Sequence, residues 1–282
     1  MEILIKETCW IAFDTETTGL SPILDRVVEI GAVKFNSRGE HLGEFQILIN
    51  PGVPIPPEVS AVHGITNEEV RNAPPMEEIL PGFIEFLGTT DTVLLAHNAS
   101  FDAGFMGTEM ERARIEKPEH MILDTLSMSR KVMRGLSSHS LGYLAKELMI
   151  DVRGHHRALA DSLIVKEIFL RLLADIGGIE RLRGLLDYTH VYRFTGLLSI
   201  QRTGMIGFEH FQKAVEKETP IMMVYRGGSK GLLPRKITPL GIIEARGNQY
   251  IRAYCHHDCV EKEFRIDRIE RFTPVEDEEV RS

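Results

Sequence analysis

Two carboxylates two residues apart, Asp14 and Glu16, close an apolar run, Trp10-Ile-Ala-Phe-Asp14-Thr-Glu16-Thr-Thr-Gly19. Side chains alternate faces along a strand, so Trp10, Ala12, Asp14 and Glu16 share one side while Ile11 and Phe13 share the other. Acids this close raise one another's proton affinity, and a cation between them relieves the conflict. The competing account is a strand fraying into a polar turn of Thr15, Thr17, Thr18 and Gly19.

Two later acids fall on faces that should be buried. Asp161 shares a helical stripe with Val165, Ile168 and Leu172, and Asp102 shares one with Phe105 and Met106. A buried carboxylate is protonated, paired or metal-bound, and taken singly each acid is explained as well by a salt bridge or a helix cap. Four acids at the ends of core elements strengthen the metal reading. His156 precedes Asp161 by about 500° of helical rotation, too far round to share its face. It belongs instead on the loop before the helix, near Gly154 and able to reach over the carboxylates, whereas His155 reads as an exposed loop residue.

The elements that must position these residues follow from periodicity. Arg26–Phe35 and Glu44–Ile49 read as strands that continue the first in a meander. Thr66-Asn-Glu-Glu69 has the form of a capping box. Leu80, Phe83, Ile84 and Leu87 mark a helix, Thr92–Ala96 a buried strand, and Met121–Asp124 another strand. The strand ending at Ala96 runs into His97-Asn-Ala-Ser-Phe-Asp102 and a helix to about Arg114. Leu141, Leu144, Ala145 and Leu148 mark one further helix, and Ala158–Leu173 the next. Strands followed by strand-helix alternation predict a mixed α/β sheet.

At 282 residues the chain has room for two cores. Its 43% hydrophobic and 26% charged residues are ordinary for a globular protein. No stretch is apolar for the length a bilayer requires, the start is too short and acidic for a signal peptide, and three cysteines make no disulfide framework. A cytoplasmic protein with no membrane partner is expected. The net charge of −8 argues against whole-surface adhesion to nucleic acid. That charge is uneven, however: Thr219–Pro274 holds ten Lys and Arg against six Asp and Glu, leaving 23 against 35 elsewhere.

Residues 176–217 read as a helical linker, with a further helix near Phe208–Lys217. From Ile221 the pattern becomes short β-runs with turns, which suggests a small barrel. Arg226, Arg235, Arg252, Arg265 and Arg268 fall on or beside these strands and suit phosphates, while Tyr225, Tyr250 and Tyr254 offer rings for stacking. The alternative pairs these arginines with Glu244, Glu263 and Asp267 as a solvated face. Cys255-His-His-Asp-Cys259 lacks the second ligand pair of a zinc site and fits a hairpin loop better. Glu276–Glu279 reads as a solvated tail.

Taken together, Asp14-Thr-Glu16, His97-Asn-Ala-Ser-Phe-Asp102 and His156-Arg-Ala-Leu-Ala-Asp161 resemble the three motifs of the DEDDh (DnaQ-like) exonucleases. His63-Gly-Ile-Thr66 also looks like a segment common in that group. The resemblance implies a five-stranded mixed RNase H-like sheet flanked by helices, within residues 1–175. The implied activity is 3′ to 5′ removal of nucleoside 5′-monophosphates from single-stranded DNA or RNA. Asp14, Glu16, Asp102 and Asp161 would hold two Mg²⁺ or Mn²⁺ ions, with His156 as general base. Thr15, Thr17, Thr18, Gly19, His63, His97, Asn98 and Phe101 would contact substrate.

Tyr225-Arg-Gly-Gly, Arg235–Gly241, Gln249–Tyr254 and Phe264–Ile269 resemble a WYL domain, an SH3/Sm-like barrel, over residues 218–282. Gln249 and Ile251 stand where that family's name has Trp and Leu. The resemblance implies a nucleic-acid or nucleotide ligand held by Tyr225, Arg226, Arg235, Tyr250, Arg252, Arg265 and Arg268. Two other functions fit the same motifs: a proofreading partner of a DNA polymerase, and a non-catalytic sensor that only grips single strands.

Overall fold

The computed structural model describes residues 3–22, 25–150, 156–194, 206–207, 210–211, 213–214, 219–227, 232–245 and 248–275. The chain divides into two compact units, Met1–Gly19 with Arg26–Gly196, and Leu20–Asp25 with Leu197–Ser282. Gly154, His155, the Glu276–Glu279 tail and most of the helix expected near Phe208–Lys217 lie outside the described residues.

In the first unit three strands form an antiparallel meander: β1 (Cys9–Thr17), β2 (Val27–Asn36) and β3 (His41–Leu48). Three short helices follow, α1 (Pro57–His63), α2 (Asn67–Val70) and α3 (Met76–Leu87). Thr66 opens α2 through a complete capping box: Glu69 N donates to Thr66 Oγ1 and Thr66 N to Glu69 Oε2. Strand β4 (Val93–Ala96) then pairs parallel to β1, α4 (Ala99–Arg112) follows, and β5 (Ile122–Asp124) pairs parallel to β4. Helices α5 (Thr125–Val132), α6 (Leu141–Glu147), α7 (Ala158–Ile176) and α8 (Leu182–Leu185) precede β6 (Val191–Tyr192), which pairs antiparallel to β5. The sheet order is β3-β2-β1-β4-β5-β6.

The expected mixed α/β sheet flanked by helices is therefore present, but it has six strands and not five. The sixth, β6, is two residues long and too short to carry an alternation signal. Alternation in β1 divides the core as expected. Ile11 and Phe13 join Leu80, Phe83, Phe105 and Met106 on one face, whereas Trp10 and Ala12 join Val165, Ile168, Phe169 and Leu172 on the other. Leu182 and Leu185 are fully buried in the second of these clusters. Among the described residues no helix is long and apolar enough to cross a membrane.

In the second unit, five antiparallel strands are ordered β10-β9-β8-β7-β11: β7 (Ile221–Tyr225), β8 (Arg235–Ala245), β9 (Asn248–Cys255), β10 (Val260–Arg265) and β11 (Ile269–Pro274). Among the described residues the pairings leave this sheet open, without a β10–β11 ladder closing a barrel. Its core gathers Phe211, Met223, Ile237, Ile251, Phe264 and Phe272, with Phe211 stacked on Phe272 at 5.0 Å.

Candidate active site

Strand β1 delivers Asp14 and Glu16 to the α7 side of the sheet, and the first turn of α7 delivers Asp161. One ligand oxygen from each of the three lies within 4.8 Å of the others, and among the described residues this is the one such cluster of His, Cys, Asp and Glu. Cys255, His256, Asp258 and Cys259 form no such group. The Cys255 thiol donates to Asp258 at 3.2 Å, in the hairpin turn anticipated for that segment.

Asp102 arrives from α4. It is 2% exposed, and its Oδ1 accepts hydrogen bonds from the Thr15 amide at 3.0 Å and the Thr15 hydroxyl at 2.8 Å. Thr15, pointing to the opposite face from Asp14, thereby ties α4 to β1. The start of α4 is itself fixed by Asp124 at the end of β5. Asp124 Oδ1 accepts from the amides of Asn98 (2.9 Å) and Ala99 (3.2 Å), while its carboxylate also caps α5.

The electrostatics are those of crowded acids. Burial, then the neighbouring charges of Asp102, Asp161, Glu16 and Glu29, pushes Asp14 well above the usual carboxylate range. Burial, then Asp161, Glu29 and Asp102, pushes Glu16 up to about 8, with Arg157 opposing. Asp102 is pushed up to about 7 by burial, against the two Thr15 hydrogen bonds. Carboxylate oxygens are the hard donors that Mg²⁺ and Mn²⁺ prefer, and a divalent cation neutralises what protein groups leave unneutralised. The donor set fits such an ion.

His156 is exposed, on the loop ahead of α7, with φ of 68°; its amide points at the Asp161 carboxylate, 3.3 Å from Oδ2. The remaining predicted substrate residues divide. Thr15, Thr17 and Thr18 are buried. The Thr17 hydroxyl donates to the Gly19 carbonyl, and the Thr18 hydroxyl accepts from the Arg26 amide, so both shape the turn after β1. His63 is buried, and its Nδ1 accepts from the Ile65 amide at 3.0 Å. Both His97 ring nitrogens are engaged within the unit, Nδ1 with the Thr125 hydroxyl and Nε2 with the His139 carbonyl. Asn98 is exposed in the left-handed region, and Phe101, half-buried, meets Phe105 at 4.8 Å.

In the second unit, Arg226 pairs with Glu270, Arg252 with Glu261 and Arg265 with Asp267. Arg235 differs. It is 8% exposed beside the Tyr225 ring, donates to the Gly227 carbonyl at 3.2 Å, and has its Nε buried without a protein partner. Arg268 is exposed and Tyr250 half-buried.

Sequence reasoning passed over Glu29 and Arg157. Glu29 is 0% exposed in β2, and Arg157 reaches it through Nε at 3.0 Å and Nη2 at 2.8 Å. The signal was an acid inside Val27-Val-Glu-Ile-Gly-Ala-Val33, where a buried charge demands a partner.

The family described as Exonuclease matches residues 11–169, and that described as WYL domain matches residues 207–274. The PolC-type DNA polymerase III of Bacillus cereus is 35% identical over 173 residues, which are 61% of this chain and 12% of the polymerase. The chain thus spans about an eighth of the length of the curated relatives it matches. E. coli exonuclease I in complex with a dT13 oligonucleotide has a TM-score of 0.54 at 18% identity, covering 88% of this chain and 55% of that one. The nuclease domain of 3′hExo, a DEDDh family member bound to rAMP, has a TM-score of 0.54 at 22% identity, covering 61% and 94%. These two likenesses show the fold.

Proposed function

The chain belongs to the exonuclease family, and on that premise we propose that it removes nucleoside 5′-monophosphates from the 3′ end of single-stranded DNA or RNA. The observation that carries the reading is the convergence of Asp14, Glu16 and Asp161 within 4.8 Å; Asp102 is outside that group, held by Thr15 and near enough for its charge to raise Asp14. In this reading the four carboxylates hold two Mg²⁺ or Mn²⁺ ions. Bound there, such ions offset charge developing on the phosphate and acidify a water. Asp102 stays fixed through Thr15, so its carboxylate is preorganised. His156, on its exposed loop, takes the proton of the attacking water at a ring nitrogen. The mobile single strand enters over the turn at Thr17–Gly19 and past Asn98 and Phe101.

The WYL unit, proposed as a small SH3/Sm-like barrel over residues 218–282, adds a nucleic-acid or nucleotide site. The surplus of basic residues between Thr219 and Pro274 supports this role, and Arg235 is its best-supported contact because Arg226, Arg252 and Arg265 already have acidic partners. A polymerase-associated proofreading role is the second reading, motivated by the PolC-type relatives; co-purification of a polymerase with the chain would favour it.

Role separation tests the assignment. Asp14→Ala abolishes both metal binding and turnover, whereas His156→Ala keeps metal and substrate but slows turnover by about 100-fold or more. Calorimetry showing the two variants equally stripped of metal would contradict the role given to His156.

A further inference from the structure

We infer that Glu29 and Arg157 form a positioning clamp that sets the first turn of α7, and with it Asp161, against Asp14 and Glu16. The inference rests on the metal-binding reading of that cluster.

The first amides of a helix need acceptors from outside its own hydrogen-bond ladder. At α7 the N-cap residue is Arg157, whose side chain caps nothing. The acceptor comes instead from β2: the Ala158 amide donates to Glu29 Oε2 at 3.0 Å. The same carboxylate accepts the two-pronged bond from Arg157 and a bond of 3.0 Å from Gln46 Nε2 on β3. Four hydrogen bonds therefore converge on one fully buried acid. Two residues along β2, a Cβ on Gly31 would lie 2.0 Å from Leu159 N, so α7 begins in direct contact with the strand backbone. The Asp161 amide in turn donates to the Arg157 carbonyl at 3.0 Å.

These contacts fix both the height and the rotation of the helix. A helix turns about 100° per residue, so slippage by one residue would swing Asp161 away from Asp14 and Glu16. Glu29 also stands directly across the β1–β2 ladder from Glu16, so strand register ties the clamp to the cluster. Neither clamp residue need touch substrate or metal.

The test uses the full chain and measures Mn²⁺ affinity by calorimetry beside kcat and KM on a single-stranded oligonucleotide. Asp14→Ala, run alongside, loses metal if the proposed function holds, and so separates failure of that reading from failure of the clamp. Removing a group that orients metal ligands typically costs about 10- to 100-fold in affinity or activity. Arg157→Ala is expected to weaken Mn²⁺ binding and lower kcat by that range with KM within about twofold of the starting value. Arg157→Lys, which keeps one charged donor, recovers part of both losses. Wild-type Mn²⁺ affinity in folded Arg157→Ala, or no recovery in Arg157→Lys, overturns the inference. If Arg157→Ala does not fold, Glu29→Gln, which keeps the volume and one acceptor, carries the same expectation, and wild-type affinity in that variant overturns it.

Discussion

Glu16 and Glu29 face each other across the β1–β2 ladder, yet their carboxyls are driven in opposite directions. Glu16 is pushed up to about 8 by burial and neighbouring acids. For Glu29, burial pushes upward too, but the hydrogen bonds from Arg157, Ala158 and Gln46 outweigh it and hold the group below the usual range. One acid is satisfied within the protein; the other is left for a cation. That contrast separates the acid that shapes the site from the acids that would work in it.

The contrast predicts an inverted pH dependence of stability in chelator. Glu16, at about 8, and Asp102, at about 7, lie above their unfolded values of roughly 4.3 and 3.9. Between those limits the native state binds more protons than the unfolded chain, so stability falls as pH rises. His63 and His97, which burial lowers, act oppositely but only below about pH 6.5. With EDTA, Tm should therefore drop by on the order of 3 °C between about pH 6.5 and 8.5, and Mg²⁺ should remove the drop. A metal-free Tm that rises over this window contradicts the electrostatic account.

Gly31→Ala should be severe although it adds one methyl. Its Cβ would lie 2.0–2.1 Å from backbone atoms of Leu159 and Ala158, far inside van der Waals contact, and backbone cannot rotate aside. A loss of about 1–3 kcal/mol or more in denaturant unfolding is expected, with turnover reduced further as α7 lifts. Unchanged stability would mean that the helix does not seat on β2 as described.

Much of this site was legible because it follows local periods. The two-residue period of β1 put Asp14 and Glu16 together, helical phase put Asp102 and Asp161 on buried stripes, and the capping box at Thr66 is written in four consecutive residues. What was not legible depends on contacts distant in sequence. Arg157 meets Glu29 across 128 positions, His97 is engaged by Thr125 and His139 from 28 and 42 positions away, and β6 exists only because β5 is there to pair with. A single charged residue in an apolar strand announces that a partner is needed, but not which one.

For the WYL unit, the uneven pairing of its arginines predicts unequal effects. In the full chain, Arg235→Ala should reduce the salt slope of long-strand binding by about 1, the loss of one phosphate contact. Arg252→Ala should leave it unchanged, since Arg252 is already matched to Glu261 with Nη2–Oε2 of 2.6 Å. Fluorescence anisotropy across salt, with Tm followed for each variant, checks this; equal slopes for Arg235→Ala and the unmodified chain would remove Arg235 from the site.

The most direct measurement is digestion of 5′-labelled single-stranded DNA and RNA, with free and blocked 3′ ends, in Mg²⁺, Mn²⁺ or excess EDTA. A ladder shortening from the free 3′ end is expected in either metal, with no digestion of the blocked strand and none in EDTA. Digestion that persists in chelator, or that proceeds from a blocked 3′ end, would contradict the proposed activity.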